Sequence, residues 1–375
     1  MWRLHLAAFA YFLGVGLGVP TLPRLVAGPL HGSGVAVGWA VGVLSIAAVA
    51  ARPLAAPAAR RWPASGLLAV GALAAGAGLL GLAWADSLAA VLACRVVAGV
   101  GEALFFVTAT SAVFRLAAGA AARRAQQDPS VAVYAGLLLG PVAAEALRPA
   151  VGLDAIWVLA AAACAAASVA AAGVRLPPEA PTPRERFAGA VRAAAVPGLA
   201  LAAATWGTIA FQAFLALAAE HEGHGDVTVP FVLFAAVVIG ARTLGRRALG
   251  DAPPARLAVA ASLSAGAGLA VVAWSPTAVG MAVAAILVGA GEAIVYPALV
   301  ALVVDGLAEE RRTSTLAAFT GFLDAALATG APALGLVLEL GGFGALYAVA
   351  ALICAAGAVP LLPMTRTTRS DPVAV

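Results

Sequence analysis

Twelve apolar stretches, each about twenty residues long and set apart by short joints, constrain this chain more than any other feature. Six run over residues 5–26, 35–56, 65–85, 88–115, 129–148 and 152–174, and six more over 194–219, 227–246, 256–274, 277–304, 314–340 and 343–363. A helix needs about 20 apolar residues to cross the hydrocarbon of a bilayer. In lipid every backbone N–H and C=O must find a partner inside its own segment, so the stretches predict helices. Composition agrees: 63% of the 375 residues are apolar and 11% are charged, against about 45–50% and about 25% in a soluble domain. A water-soluble fold could not hide that much apolar surface. The net charge of +4 is scattered in short clusters between apolar runs, which excludes a nucleic-acid-binding face. One arginine precedes the first run, which therefore reads as an uncleaved span and not as a removed signal peptide.

The basic residues orient the spans. All 22 are arginine. Nineteen lie at the termini or in joints after even-numbered spans, as Arg60 and Arg61, Arg123 and Arg124, Arg184 and Arg186, Arg246 and Arg247, and Arg311 and Arg312 do. The joints after odd-numbered spans carry only Arg24 and Arg148, and Arg95 sits inside a span. Short cytoplasmic loops collect positive charge, so both termini are expected in the cytoplasm of a cell whose inner membrane holds the chain.

Sliding the sequence on itself by 190 positions exposes a repeat. Arg52 falls on Arg242, Pro63 on Pro253, residues 75–79 (Ala-Gly-Ala-Gly-Leu) on the same five residues at 265–269, Ala83-Trp84 on Ala273-Trp274, Gly101-Glu102-Ala103 on Gly291-Glu292-Ala293, and Gly140 on Gly330. No gap is needed. The expected organisation is a six-helix bundle over 1–174, a cytoplasmic linker over 175–193 containing Pro177, Pro178, Pro181 and Pro183, a second six-helix bundle over 194–364, and a cytoplasmic tail over 365–375. Parallel repeats of this kind place a substrate site between them near the midplane.

Several motifs carry a family resemblance. Gly14 is followed six residues later by Pro20-Thr21-Leu22-Pro23. Arg95 precedes Gly99-Val100-Gly101-Glu102. Gly136-Leu137-Leu138-Leu139-Gly140-Pro141 fills the fifth span, Gly289-Ala290-Gly291-Glu292 with Tyr296-Pro297 the tenth, and Asp324 lies in the eleventh. Together with the repeat they resemble the major facilitator superfamily, more narrowly its twelve-span drug:proton antiporter and sugar-efflux branch. The resemblance implies an all-α membrane protein of twelve transmembrane helices in two pseudo-twofold-related bundles, with Glu102 and Glu292 facing each other across a central cavity. It also implies gating or hinge roles for Arg52, Arg61, Arg242, Gly136, Gly140 and Pro141. The chain departs from the pattern at Ala144 and Glu145, where glycines are usual, and at Ala56, Arg60 and Gly250 in the loops after spans two and eight.

Charges inside a span cost about 2.5–3.5 kcal/mol each on insertion scales and therefore mark functional candidates. Arg95, Glu102, Glu292 and Asp324 are the proton-coupling candidates; the alternative for each is helix–helix packing through a polar bond. Arg95 and Glu102 are seven residues apart, so they share a helix face about 10 Å apart along the axis. Tyr11, Trp206, Phe211 and Gln212 are candidates to line a substrate cavity, with ordinary packing as the alternative. Glu145 and Glu339 are expected in solvated or capping roles near span ends. Cys94, Cys164 and Cys354 all lie in apolar runs and read as small core residues, without the density of a disulfide framework. The loop Glu220-His221-Glu222-Gly223-His224-Gly225-Asp226 reads as a solvated hairpin, so no metal is expected, and no cofactor either, since no phosphate-cradling glycine loop is present. The expected function is proton-coupled efflux of a small, partly apolar organic molecule by a monomer that is not an enzyme. The alternatives are uptake or exchange of a sugar or metabolite, and a receptor built on a transporter fold.

Overall fold

The computed structural model describes residues 2–116, 127–174, 187–248, 252–305, 307 and 309–365. The linker prolines, Arg123, Arg124, Arg184, Arg186, Gly250, Asp251 and the tail from 366 lie outside the described residues. Helices α1 (Trp2–Ala27), α2 (Gly34–Arg61), α3 (Ala64–Gly81), α4 (Leu88–Leu116) and α5 (Gln127–Ala171) are followed by α6 (Phe187–His221), α7 (Thr228–Ala248), α8 (Pro254–Trp274), α9 (Ala278–Val304) and α10 (Glu309–Ala358). Short 3-10 turns add to the ends of α3 and α10, and no strand occurs among the described residues. Nine described helices are long and apolar enough to cross a membrane; Thr228–Arg242 of α7 is a shorter apolar helix.

Local chemistry sets the ends. The Ser33 hydroxyl accepts a hydrogen bond from the Ala36 N–H and the Thr277 hydroxyl one from the Gly280 N–H, so α2 and α9 begin where a short polar side chain can satisfy an orphan donor. Pro254 starts α8, where a missing N–H costs nothing. Helix α6 begins at Phe187, inside the stretch expected to be linker up to residue 193.

Two joints expected from sequence are very tight. The 45 residues of α5 and the 50 of α10 are each two helices that meet at the expected boundary in a kink, at Gly152 (φ 79°, ψ 173°) and at Gly342 (φ 73°, ψ −176°). A Cβ at either position would meet nothing within 4 Å, so it is the backbone conformation that calls for glycine there. The two glycines are counterparts under the sequence repeat.

The chain divides into two compact units. Unit 1 contains Met1–Thr182, Gly225–Val232 and Ala331–Glu339, and unit 2 contains Pro183–His224, Leu233–Gly330 and Leu340–Val375. In unit 1, α1 packs on both limbs of α5. A Cβ on Gly16 would sit 3.1 Å from the Gly140 Cα, and one on Gly18 would sit 3.2 Å from the Trp157 ring. In unit 2, α6 touches both limbs of α10: Trp206 and Ile209 close on Gly330, and Gly207 on the Cys354 sulfur. With no hydrophobic force between helices in lipid, small residues that let backbones approach drive such packing.

The repeat is therefore a repeat of contacts as well as of letters. A Cβ on Gly101 would strike Gly71 and Ala75, and one on Gly291 would strike Ala261 and Ala265. Gly76 abuts Ala161 and Cys164 as Gly266 abuts Ala351 and Cys354, and Gly99 abuts Leu44 and Ala47 as Gly289 abuts Phe234 and Val237. Every member of each second set is the repeat counterpart of a member of the first. Cys164 and Cys354 are buried free thiols and Cys94 is half-buried. Trp84 and Trp274, also related by the repeat, are both exposed at their helix ends, as suits residues at a membrane–water boundary.

Candidate functional site

In unit 1 the structure brings together three of the sequence-chosen residues. Arg95 and Glu102 project from α4 and Tyr11 from α1, within electrostatic reach of one another. The Arg95 guanidinium donates from Nε to the Ala40 carbonyl (2.9 Å) and from Nη2 to the Val41 carbonyl (3.2 Å). It thereby ties α4 to α2 while its charge still acts on Glu102. The Glu102 Oε2 oxygen is shielded from solvent. Tyr11 is 1% exposed and stacks on Phe105 with centroids 4.0 Å apart and planes 7° off parallel, while the Phe12 ring meets it edge-on at 5.2 Å. Its ring is thus packed in the interior of unit 1.

Unit 2 treats its carboxylate differently. Glu292 on α9 is half-buried and accepts a hydrogen bond on Oε2 from the Thr208 hydroxyl of α6 at 2.8 Å. Trp206, on the same helix as Thr208, is half-buried against Gly330. Gln212 is half-buried as well, whereas Phe211 is fully buried and stacked on Phe234 at 5.2 Å. Asp324 is half-buried on the first limb of α10. Arg242 lies within electrostatic reach of Tyr296, whose ring packs on Phe319 at 5.9 Å.

The residues expected to gate or hinge fall into two groups. Gly136 and Gly140 are contact glycines: a Cβ on Gly136 would strike the Phe9 carbonyl, and one on Gly140 would lie 2.5 Å from the Gly16 carbonyl carbon. Pro141 follows, buried inside α5. Arg52 is half-buried within α2 and Arg61 is exposed at its end.

One cluster escaped the sequence reading, and its members correct it. Glu145 is not solvated. It is 2% exposed and pairs with Arg24, itself 4% exposed. Arg24 is not in a joint but in the last turn of α1. Arg24 Nη1 donates to Glu145 Oε1, while Arg148 Nη2 lies 3.8 Å from Glu145 Oε2. Both arginines donate to the Gly225 carbonyl, Arg148 at 3.0 Å and Arg24 at 3.5 Å. The available signal was three charged residues at ends of predicted spans on one side of the membrane; Arg24 and Glu145 are far apart in sequence, beyond any local pattern. Glu339 fits its expected capping role, since Oε2 accepts from the Val35 N–H at 3.2 Å in the first turn of α2.

In the acidic hairpin, residues 220–224 are exposed. The Asp226 carboxyl is held below the usual carboxylate range, first by the Thr228 backbone N–H at 2.8 Å and then by the Thr228 hydroxyl. Among the described residues no three His, Cys, Asp or Glu side chains converge as a metal site would require.

Comparison with known proteins gives a consistent result. The family model of the Major Facilitator Superfamily matches residues 4–285. An uncharacterised MFS-type transporter of Burkholderia mallei strain SAVP1 is 30% identical over 362 residues, which cover 93% of this chain and 88% of that protein. Among solved structures, a mutant form of the nucleoside transporter NupG superposes with a TM-score of 0.81 at 14% identity over 97% of this chain and 99% of its own. The human organic anion transporter MFSD10 does so with a TM-score of 0.67 at 16% identity, over 96% and 98%. Likeness at such low identity speaks to the fold alone.

Proposed function

The chain belongs to the Major Facilitator Superfamily and is a multi-pass membrane transporter rather than an enzyme, and on that premise we propose that it is a proton-coupled exporter of small, partly apolar organic molecules working by alternating access. We count twelve crossings in this reading: the nine long apolar helices, a second pass in each of α5 and α10 beyond Gly152 and Gly342, and the shorter α7. Both termini lie in the cytoplasm of a cell with the chain in its inner membrane, following the arginine bias.

The observation that carries the proposal is a pair of in-span carboxylates at matching places in the two repeats, Glu102 on α4 and Glu292 on α9. Ionisable groups inside spans mark ion and proton pathways. Each carboxylate has a neighbour suited to sense its charge: Arg95 and Tyr11 for Glu102, and the Thr208 hydroxyl for Glu292. A carboxyl that takes up a proton on one side and loses it on the other converts a proton gradient into work, about 2.3 kcal/mol per charge per 100 mV of membrane potential.

The test is transport in proteoliposomes with an imposed pH gradient, using a fluorescent amphipathic dye as probe. Gradient-driven accumulation is expected in the parent and lost in the Glu102→Gln, Glu292→Gln double variant. Dye flux that ignores the gradient in the parent would replace this reading with uptake or exchange down the substrate's own gradient.

A further inference from the structure

Unit 1 contains two segments from the second repeat, Gly225–Val232 and Ala331–Glu339. Each is tied there by a polar contact, and the ties fall at related positions. Val35, whose N–H binds Glu339, and Gly225, whose carbonyl takes both arginines, are counterparts under the repeat. The chemistry of the two ties differs. Glu339 is exposed and serves as a helix cap. Gly225 is met by two guanidiniums set in place by one buried carboxylate.

Within that second tie the bonds are graded. The Arg24–Glu145 pair has its side chains 4% and 1% exposed, and separating a buried pair leaves an uncompensated charge out of water. Arg148 is 28% exposed on its side chain and stands 3.8 Å from Glu145. The carbonyl it binds is neutral, and water can take that carbonyl's place at the rim. The buried pair is thus a fixed anchor, and the guanidinium–carbonyl contacts are the bonds that can open. The repeat counterpart of Glu145 is Gly335, so the second repeat has no equivalent of this cluster. Asp226, beside Gly225, lies within electrostatic reach of both arginines and adds attraction along the same segment.

We propose that Arg24, Glu145 and Arg148 form a releasable latch on segment 225–232, in which Glu145 is the positioning residue that aims both guanidiniums at the Gly225 carbonyl. The inference is independent of proton coupling, since its test needs neither substrate nor gradient. Val227 in the latched segment is fully buried, so Val227→Cys reports release through its reaction with a hydrophilic maleimide in the purified full-length protein. Background from Cys94, Cys164 and Cys354 is measured in the parent without the added thiol.

Replacing Arg148 by Gln in the Val227→Cys protein is expected to speed modification by about tenfold or more, the ratio that loss of one charge-assisted hydrogen bond gives. Arg148→Lys keeps a cation at the rim and is expected to label within about threefold of the unaltered latch. Glu145→Gln should label at least as fast as Arg148→Gln; because it removes the carboxylate paired with the buried Arg24, it is read only in protein that elutes as a single species. Monodisperse Arg148→Gln protein labelling at the parent rate would overturn the proposal. So would equal acceleration by Arg148→Lys, which would mark a packing role in place of a charged one.

Discussion

The two repeats share their backbone contacts but only a few of their charges. Gly101 and Gly291, Gly76 and Gly266, and the breaks at Gly152 and Gly342 show the same helices meeting at the same residues in both copies. Where the first repeat carries Tyr11, Arg24, Arg95, Glu145 and Arg148, the second carries Leu201, Phe214, Ala285, Gly335 and Leu338. The carboxylate at Glu102 and Glu292 is kept, as is the arginine at Arg52 and Arg242, but the support of the carboxylate differs: the counterpart of Thr208, which bonds Glu292, is Gly18. Helix contact through small residues constrains a position for its size, so it persists in both copies. Charge constrains a position for what it does, so it persists only where both copies need the same thing done.

The sharpest way to break this comparison is to remove the charge that only the first repeat has. Glu145→Gln leaves the buried Arg24 charge without its carboxylate and is expected to cost about 3–5 kcal/mol. The double change Arg24→Met, Glu145→Leu imitates the apolar second repeat and should recover most of that loss. Thermal unfolding in detergent reads both, and a double variant as weak as the single one would show that the pair is not what the site lacks in the second repeat.

A smaller contrast tests the shared backbone. Gly140→Ala drives a methyl into the Gly16 backbone, whereas Gly330→Ala meets only the Trp206 and Ile209 side chains at 2.9–3.1 Å. Overpacking against backbone should cost Gly140→Ala about 1–3 kcal/mol, and Gly330→Ala less, because side chains can turn. Equal melting temperatures for the two variants would refute the difference. Thr208→Val removes the hydroxyl from Glu292 and should cost about 1 kcal/mol, with no first-repeat counterpart to compensate.

The smallest effect concerns pH. Bonding to Thr228 holds the Asp226 carboxyl in the folded protein below its unfolded value, which is about 3.9. Its stabilisation is therefore complete above that unfolded value and fades as pH falls through the folded one. Asp226→Asn should melt slightly below the parent at pH 7, and the gap should close as the pH drops below about 4. A gap independent of pH would assign the effect to shape instead of charge.

Much of the fold was legible because lipid leaves few choices. Span limits taken from hydropathy alone fall close to the ends of α1 to α4 and α7 to α9, and the positions between spans five and six and between eleven and twelve fall beside Gly152 and Gly342. That each of those joints is a kink at a single glycine of positive φ was not legible, since polar residues and glycine in a joint do not report φ. The repeat was legible because its register never slips. Glu102, Arg95 and Tyr11 were each visible as candidates, yet that Arg95 would spend its hydrogen bonds on α2 carbonyls depends on which helices are neighbours. The Arg24–Glu145 pair was hidden for the same reason: each residue alone looks like a span end facing water, and only the packing of α1 on α5 removes the water.

The claim that the two repeats each contribute one carboxylate to proton coupling is tested most directly by measuring pH-gradient-driven dye accumulation for Glu102→Gln and Glu292→Gln separately in proteoliposomes. Loss of gradient-driven accumulation in each single variant, with dye binding retained, is the predicted result. Accumulation at the parent level in either one would contradict the claim.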